Sequence, residues 1–457
     1  MPTWAGLDHR PKRKRTPSLT ARNSNFALQD VPEPVLYREM FPFTQLPRVL
    51  FEDASVPLQP AKDIWITDTT FRDGQQSRPP YSVAQIVDIY KLLSRLDGGS
   101  GLVRQSEFFL YTRKDRQAVD ACRSLGLAFP QVTGWIMARK EDFKLVREMK
   151  LGETGILTSC SDYHIFLKLK KTRRQAMDMY LDIARAALDS GITPRCHVED
   201  VTRADFYGFV VPFAIELMKL REEYCRDVKI RLCDTLAFGV PFAEAMLPRS
   251  VPKLVAGIIR DAGVPGHLLE WHGHNDLHKG LICASTAWLY GCSACNCSVL
   301  GIGERTGNTP LEGMIVEAAQ FRGQDPRVNY AVITEIGDYF RNEIGYPIPA
   351  NYPLVGSDFN TTRAGIHVDG LLKSEEIYSC FDTQKILNRP VTVAVTDKSG
   401  AAGIKHWLQS HYGIDVAKDD PRLLAVRQKV EAQYEEGRNT TISDEEMHRW
   451  YKEAFGA

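Results

Sequence analysis

Residues 63–96 read DIWITDTTFRDGQQSRPPYSVAQIVDIYKLLSRL. The short apolar run Ile64–Thr67 leads into a polar, glycine-containing loop, which is typical of a buried strand. From Val83 to Leu96 apolar residues recur every three or four positions, and this spacing predicts an amphipathic helix. The stretch therefore predicts one strand–loop–helix unit.

The same unit recurs along the chain. Further strands are predicted at Val103–Glu107, Gln131–Ile136, Thr154–Thr158, Pro194–Val198, Lys229–Cys233, Leu269–His274 and Ala294–Leu300. Helical patterns fall between them, for example at Arg173–Ser190, Val211–Tyr224 and Val251–Ala262. Eight strands that alternate with helices predict a parallel (β/α)8 barrel, the TIM-barrel fold of the α/β class. The predicted barrel spans residues 61–322, close to the usual length of ~250 residues.

Two regions flank the predicted barrel. Residues 1–60 are predicted to form an N-terminal arm, and residues 323–457 mainly helical linker subdomains. The basic run Arg10–Arg15 would suit nuclear import or nucleic-acid contact, and the alternative is a solvated terminus. The aromatic residues within Val35–Phe51 favour packing on another surface, such as a second subunit.

Composition narrows the class of protein. The 57 Lys and Arg residues balance 57 Asp and Glu residues, which argues against a nucleic-acid or membrane-surface binder. No apolar run approaches the ~20 residues of a membrane span, and the N-terminus lacks the apolar core of a secretory signal. Ten cysteines in 457 residues are sparse and irregularly placed, unlike those of a disulfide-stapled domain. We therefore expect a protein of the reducing cytoplasm.

Polar side chains follow the predicted strands at the point where each strand ends. They are Asp73, Glu107, Glu199, Asp234, Thr235, His272, His274 and Asn308. The carboxyl ends of the strands form one rim of a (β/α)8 barrel, and the active site lies there. The fold is therefore expected to gather these residues around one cavity.

Two of these segments suit a metal ion. His272 and His274 are two positions apart on a strand, so both side chains point into the barrel. Two imidazoles on one face can bind a divalent cation together with an oxygen ligand, although such pairs are also common as structural residues. Asp73 beside Arg72 suits a metal ligand next to an oxyanion donor, and the alternative is an Arg–Asp turn at Gly74.

Two other motifs carry weaker signals. The loop Gly301–Asn308 could cradle a phosphate, but its spacing does not fit the nucleotide-binding fingerprints. Glu304 and Asn308 within it could instead support or bind a metal. The cluster Cys292-x2-Cys295-x-Cys297 could bind zinc, yet no second Cys/His pair is nearby, so buried thiols are the alternative.

Together the motifs resemble a known family, the metal-dependent aldol- and Claisen-type barrels named for an Asp-Arg-Glu signature. The resemblance is to the acyl-CoA-condensing branch, which includes isopropylmalate, homocitrate and citramalate synthases and the Re-face citrate synthases. It covers about residues 61–390. The matching pieces, in order, are Asp68–Gln76, Ser161–His164, Val198–Arg203, Cys233–Thr235, His272–Asp276, Gly301–Asn308 and Ala364–Gly370.

The resemblance implies a role for each matching residue. One divalent metal ion (Mn, Co, Mg or Zn) would be bound by Asp73, His272, His274 and Asn308. Arg72 would polarise the ketone oxygen, and Glu199 would steer the acyl donor or its proton transfer. The oxo acid would contact Arg72, Gln76, Arg203 and Thr235. From beyond the barrel, His367, backed by Asp369, and Tyr378 would act in the neighbouring subunit's active site, so a homodimer or dimer-based oligomer is implied.

The implied reaction is a Claisen-type condensation of the co-substrate acetyl-CoA with a 2-oxo acid by a metal-dependent acyltransferase. The arm and the stretch Thr70–Tyr81 look most like the Re-face citrate synthases, which convert oxaloacetate to citrate. Arg78 or Arg203 could pair with the distal carboxylate of that substrate. Homocitrate synthase, which uses 2-oxoglutarate, and isopropylmalate synthase are the alternatives. Little chain follows residue 410 or so, and the regulatory domain usual in isopropylmalate synthases is not expected.

Two hypotheses of a different class stay open. One is a metal-dependent lyase that cleaves a hydroxyacyl-CoA, although Gly301–Asn308 stands where hydroxymethylglutaryl-CoA lyase has a cysteine-bearing loop. The other is a non-catalytic or nucleic-acid-binding barrel that uses the basic arm.

Overall fold

A computed structural model of the chain describes residues 26–456. Internal contacts divide the chain into two compact units, residues 1–328 and 329–457. The last barrel helix ends at Arg322, and the division between the units follows six residues later. The basic run Arg10–Arg15 lies outside the described residues.

The first unit contains a closed barrel of eight strands, in which every neighbouring pair is parallel. The strands are β1 Trp65–Asp68, β2 Val103–Phe109, β3 Gln131–Ile136, β4 Glu153–Ser159, β5 Thr193–Glu199, β6 Lys229–Asp234, β7 Leu269–Gly273 and β8 Ala294–Cys297. The predicted (β/α)8 architecture is confirmed. The closed ring brings the carboxyl ends of all eight strands to one rim.

A helix follows each strand. The helices are α1 Val83–Asp97, α2 Arg113–Ser124, α3 Phe143–Glu148, α4 Arg173–Asp189, α5 Val211–Tyr224, α6 Val251–Asp261, α7 Gly280–Leu289 and α8 Leu311–Arg322. Local sequence sets their ends. At the start of α1, the Ser82 hydroxyl accepts the Gln85 N–H at 3.1 Å and Gln85 Oε1 accepts the Ser82 N–H at 3.0 Å, a capping box that satisfies two otherwise free donors.

The eighth strand ends earlier than predicted, at Cys297 rather than Leu300. Leu300 adopts a left-handed conformation with a φ of 55°, which is incompatible with a strand. Its N–H donates to Glu312 Oε2 at 3.0 Å, and the Val299 N–H donates to Thr70 Oγ1 at 2.9 Å. These bonds replace the strand ladder and begin the loop that leads to Asn308.

The two faces of the barrel strands differ in character. Outward-facing residues such as Ile66, Phe108 and Trp271 are apolar and buried. Most inward-facing residues are polar or charged, namely Thr67, Gln105, Glu107, Arg195, His197, Arg231, Glu270, His272 and Asn296. Ion pairs that cross the barrel from β2 to β5 and β6 show that these side chains meet at its axis. This charged interior differs from the packed apolar layers usual in the fold and was not predicted from the sequence.

The described part of the arm, residues 26–60, packs on the barrel. The Gln29 N–H donates to the Gly208 carbonyl at 3.0 Å, and the Tyr163 hydroxyl donates to the Leu36 carbonyl at 2.7 Å. Phe41 is buried, with its ring 4.9 Å from that of Phe238. Phe43, by contrast, is 92% exposed. The aromatic residues of the arm thus divide between the barrel and the free surface of this chain.

The second unit is mainly helical, as predicted. Its helices are α9 Val332–Asn342, α10 Gly365–Leu371, α11 Thr383–Leu387, α12 Gly400–Tyr412, α13 Pro421–Glu435 and α14 Asp444–Phe455, and its two short strands are β9 Thr361–Thr362 and β10 Thr392–Val393. Trp407, Val426 and Trp450 lie in its apolar core. Between residues 26 and 456, no helix is both long enough and apolar enough to span a bilayer.

Gly98, which ends α1, offers a test of the barrel packing. Its φ is 58°, and a Cβ atom there would overlap the carbonyl oxygen of Arg327. We expect Gly98→Ala to lower the free energy of unfolding by more than ~2 kcal/mol, because left-handed strain and a backbone clash add together. Gly99→Ala is the matched control, since Gly99 has a φ of 83° but open space around it, so its loss should be ~1 kcal/mol. Equal losses in urea unfolding would contradict this packing.

Candidate active site

Three potential metal ligands converge at the carboxyl rim. His272 is the penultimate residue of β7, His274 directly follows that strand, and Asp73 lies in the turn after β1. The Nε2 atoms of the two histidines are 3.2 Å apart, and Asp73 Oδ2 lies 3.6 Å from the first and 3.9 Å from the second. All three side chains are buried. Strand geometry and ring closure thus bring together ligands that are about two hundred residues apart.

The charge states of these side chains suit cation binding. Burial lowers the pKa of His272 to about 3, so its imidazole is neutral. Asn296 Nδ2 donates to the Thr67 carbonyl at 3.3 Å, which leaves Asn296 Oδ1 to accept from His272 Nδ1 at 2.7 Å. The lone pair of His272 therefore sits on Nε2, which faces the other ligands. Asn296 is a supporting residue that was not predicted from the sequence.

Asp73 is the anionic member of the group. Burial alone would raise the pKa of Asp73, but Arg72 and the two histidines hold it well below its usual range. Asn308 Nδ2 donates to Asp73 Oδ2 at 2.7 Å, while Asn308 Oδ1 is buried and has no hydrogen-bond partner. A buried oxygen without a partner beside such a group is what a further metal ligand requires. The four predicted ligands are therefore together, and their chemistry fits one divalent cation.

Arg72 lies directly beside these ligands. Its Nε donates to Glu107 Oε1 at 2.8 Å, and its Nη1 lies 3.2 Å from Asp73 Oδ1. Glu107, at the carboxyl end of β2, is fully buried, and burial alone would raise its pKa. Arg231, Arg72 and other cations instead hold the pKa of Glu107 well below its usual range. Glu107 is thus an anion that orients Arg72.

Glu199 ends β5, which lies on the far side of the ring of strands from β1. Its carboxylate accepts a hydrogen bond from Ser159 and lies 3.1 Å from His164 Nδ1 and 3.9 Å from Lys168 Nζ. Burial alone would raise the pKa of Glu199, but these partners lower it to about 2. His164 and Lys168 belong to a π-helical turn, Tyr163–Lys168, a local irregularity that is frequent at functional sites.

The other residues predicted to contact the oxo acid differ in their exposure and in the partners that they already have. Thr235 Oγ1 accepts the Asp200 N–H at 2.8 Å, so its hydroxyl proton is available to a ligand. Gln76 is exposed in the turn after β1. Arg203 pairs with Asp200 at 2.8 Å and stacks on the Tyr163 ring, so its charge is already balanced.

Arg78, the other candidate cation, lies over a second aromatic ring. Its guanidinium is 4.1 Å from the centre of the Tyr81 ring, and its Nη1 is buried without a hydrogen-bond partner. A buried cationic donor of this kind is free to bind an anionic group.

His367 and Tyr378 belong to the second unit. Their ring centres lie 4.3 Å apart with the planes tilted by 39°, and both side chains are exposed. Asp369 does not contact His367 through an ion pair, since it pairs instead with Lys373 at 2.9 Å and with Lys418. The two rings therefore form one exposed pair on α10 and the turn that follows it.

The remaining motifs have structural roles. Gly301 and Gly307 close their loop on itself, because the Asn308 N–H donates to the Gly301 carbonyl at 2.8 Å. Arg305 binds Asp276 at 2.8 Å and joins this loop to the one after β7. The thiols of Cys292, Cys295 and Cys297 are buried, and burial raises their pKa well above the usual value. Among residues 26–456 these thiols do not join a group of potential metal ligands, so the buried-thiol alternative is favoured.

Three comparisons with known proteins bear on this site. A model of the HMGL-like family matches residues 63–339. The citrate (Re)-synthase of Syntrophus aciditrophicus (strain SB) is 58% identical over 426 residues, which cover 92% of this chain and 68% of that protein. The citrate (Re)-synthase of Clostridium kluyveri is 52% identical over 427 residues, covering 93% of this chain and 94% of that one. The solved HMG-CoA lyase of Bacillus subtilis has a TM-score of 0.50 at 17% identity, over 64% of this chain and 96% of the other, and it shares the fold alone.

The ligand geometry predicts tight, Asp73-dependent metal binding. We expect Mn²⁺ to raise the Tm of chelator-treated protein, because an ion that binds only the folded state stabilises it. Asp73→Asn keeps the side-chain size but removes the charge, and we expect it to weaken Mn²⁺ binding by at least ~10-fold, measured by isothermal titration calorimetry. Asp182→Asn removes an exposed carboxylate on α4 and is the control. Wild-type affinity in the Asp73 variant would contradict the ligand assignment.

Proposed function

The chain belongs to the HMGL-like family, and we propose that it is a citrate synthase of the Re type. It is an acyltransferase that condenses acetyl-CoA with oxaloacetate to give citrate and CoA. The observation that carries this proposal is the likeness to two citrate (Re)-synthases over more than nine-tenths of the chain. The site supports it, since metal-ligand donors converge there beside a buried guanidinium.

The reaction forms a carbon–carbon bond and then breaks a thioester. A base removes a proton from the acetyl methyl group, and the enolate carbon adds to the ketone carbon of oxaloacetate. The ketone oxygen gains negative charge, so fixed donors beside it accelerate this step. Water then cleaves the thioester, and CoA leaves.

Asp73, His272, His274 and Asn308 would hold one divalent cation, Mn²⁺, Co²⁺, Mg²⁺ or Zn²⁺. When bound, such an ion supplies Lewis-acid stabilisation to the oxygen atoms of the oxo acid. Arg72 supplies the chain's own donor. Its Nε is taken by Glu107 and its Nη1 is beside Asp73, so the guanidinium is held where it can donate to the ketone oxygen.

Other residues of the rim would position the two substrates. Glu199 remains an anion at neutral pH and would orient the acyl donor or its proton transfer. Thr235 would donate its free hydroxyl proton to the oxo-acid carboxylate, and the exposed amide of Gln76 would add a contact. For the distal carboxylate, Arg203 would have to exchange its ion pair with Asp200. The unpartnered Nη1 of Arg78 is the better candidate.

His367 and Tyr378 of the neighbouring subunit would complete the site. We assign proton removal from the acetyl group to His367, which the Tyr378 ring contacts, because an imidazole is a suitable base near neutral pH. We also propose a homodimer, supported by the exposed apolar side chains Phe43 and Ile366. A cytoplasmic location is supported by the ten cysteines, none of which forms a disulfide.

The direct test is release of free CoA from acetyl-CoA with four oxo acids: oxaloacetate, 2-oxoglutarate, 2-oxoisovalerate and pyruvate. We expect oxaloacetate to give the highest kcat/KM, loss of activity after chelation, and recovery with one of Mn²⁺, Co²⁺, Mg²⁺ or Zn²⁺. A preference for 2-oxoglutarate would assign the chain as a homocitrate synthase, and a preference for 2-oxoisovalerate as an isopropylmalate synthase. Absence of CoA release with all four acids, together with cleavage of a hydroxyacyl-CoA, would make it a lyase.

The 3.1 Å contact between His164 Nδ1 and the Glu199 carboxylate predicts a change in the pH profile. His164→Ala removes a partner that lowers the pKa of Glu199, so burial will raise that pKa. The carboxylate is charged only above its pKa, and the acid limb of kcat/KM for acetyl-CoA should therefore move to higher pH. Lys168→Met removes a weaker, 3.9 Å contact and should move the limb less. An unchanged limb in the His164 variant, measured from pH 5 to 9, would contradict the role of Glu199.

A further inference from the structure

A continuous series of ion pairs runs along the axis of the barrel, and we name it the ionic column. Four cations alternate with three anions in it. The cations are Lys229, Arg195, Arg231 and Arg72, and the anions between them are Glu153, Glu270 and Glu107. Its upper end reaches Asp73, 3.2 Å from Arg72 Nη1. The column therefore ends at the candidate metal ligands.

The upper part of the column centres on Glu107. Arg231 faces both of its carboxylate oxygens, since Nη1 donates to Oε1 at 3.1 Å and Nη2 lies 2.9 Å from Oε2. Arg72 Nε donates to the same Oε1 at 2.8 Å. The position of the Arg72 guanidinium thus depends on where Arg231 holds Glu107.

The lower part of the column holds Arg231 in turn. Glu270 Oε2 accepts from Arg231 Nε at 2.7 Å and from Arg195 Nη1 at 3.3 Å. Arg195 Nε donates to Glu153 Oε1 at 3.0 Å, and Lys229 Nζ donates to Glu153 Oε2 at 2.6 Å. Arg195 and Arg231 are each at most 1% exposed. Neither of these two guanidinium groups can exchange its partner for bulk water.

Stability alone does not account for this arrangement. Replacing a buried ion network by well-packed apolar residues is often neutral or stabilising, because taking charges out of water costs so much. The gain from a buried network in which each charge is paired is a more rigid geometry. Rigidity matters most at the end of the column, where a guanidinium must be aimed at a reacting oxygen.

We propose that Arg231 and Glu270 are positioning residues, which act on the condensation through Glu107 and Arg72 without touching the substrate. This inference rests on the proposed function, because Arg72 receives its role there. It extends the machinery of the reaction from the rim of the barrel into its interior.

The test is a double-mutant cycle between Arg231 and Arg72. We expect Arg231→Met to lower kcat per folded molecule between about ten- and a hundredfold, the loss that a misaimed donor causes. In an Arg72→Lys background, the same change should cost less than about threefold, because the residue it acts through is already altered. KM for acetyl-CoA should change less than kcat in both cases, since the column does not touch the acyl donor.

Arg173→Met is the matched control. Arg173 is also fully buried and pairs with two carboxylates, Asp162 at 2.7 Å and Asp205 at 2.9 Å, but it lies outside the column. The Arg173→Met variant should have a lower Tm but an unchanged kcat per folded molecule. Glu270→Gln, which keeps the shape of the side chain, serves if Arg231→Met does not fold, and we expect it to lower kcat in the same direction. Mn²⁺ affinity should stay within about threefold of wild type in the folded column variants, since the four ligands are unchanged.

Two results would overturn the positioning role. One is a wild-type kcat in both Arg231→Met and Glu270→Gln, and the other is an equal loss of kcat from Arg231→Met in the wild-type and Arg72→Lys backgrounds. Failure of the proposed function looks different. In that case wild-type protein releases no CoA with oxaloacetate, or Arg72→Lys alone leaves kcat unchanged.

Discussion

The pairing of Glu107 with Arg231 and Arg72 is the interaction on which the site depends most. A fully buried carboxylate is tolerated only if cations and donors replace the water that it has lost. Glu107 meets this condition with partners from three different strands or loops. Those partners are themselves buried and need anions of their own. The requirement for charge balance therefore propagates down the axis of the barrel until it reaches Lys229, which is partly exposed.

The same need to balance buried charges explains why the two sides of the rim differ. On one side, Asp73 and the two histidines present an anion and two neutral imidazoles with depressed pKa values, which suits a cation. On the other side, Glu199 stays charged because His164 and Ser159 stabilise it. A small oxo acid bound between these walls would meet a guanidinium at its ketone and donors at its carboxylates. The barrel supplies rigid walls, so little of the binding free energy is lost in ordering them.

The sequence predicted the barrel and most of its rim for a clear reason. Strand and helix periods alternate from Ile64 onward, and closure of a parallel barrel then dictates that residues after each strand meet. This geometry correctly predicted that four residues lie close together, namely Asp73, His272, His274 and Asn308. It could not show that the strand ends before Leu300. The left-handed conformation of Leu300 depends on the side-chain oxygens of Thr70 and Glu312, and both of these residues lie outside the strand.

The ionic column could not be predicted from the sequence, for a related reason. Arg195, Arg231 and Glu270 lie on three different strands, and a charge on one strand gives no sign of its partner on another. Only the ring closure of the barrel reveals that the charges alternate along the axis. The roles of Asn296 and His164 were not predicted, because each of them acts by orienting another residue, His272 or Glu199. The roles of His367 and Tyr378 rest on the family resemblance, and the contact between their rings was not predicted.

The most direct test is a crystal structure of the protein with Mn²⁺ and oxaloacetate, in which the anomalous scattering of manganese locates the ion. We expect a single strong peak within ~2.3 Å of an Asp73 carboxylate oxygen and of the Nε2 atoms of both His272 and His274, distances typical of such ligands. Oxaloacetate should contact the same ion, with its ketone oxygen toward Arg72. A fully occupied ion elsewhere in the protein, or oxaloacetate bound away from Arg72, would contradict the assignment of this rim as the site of condensation.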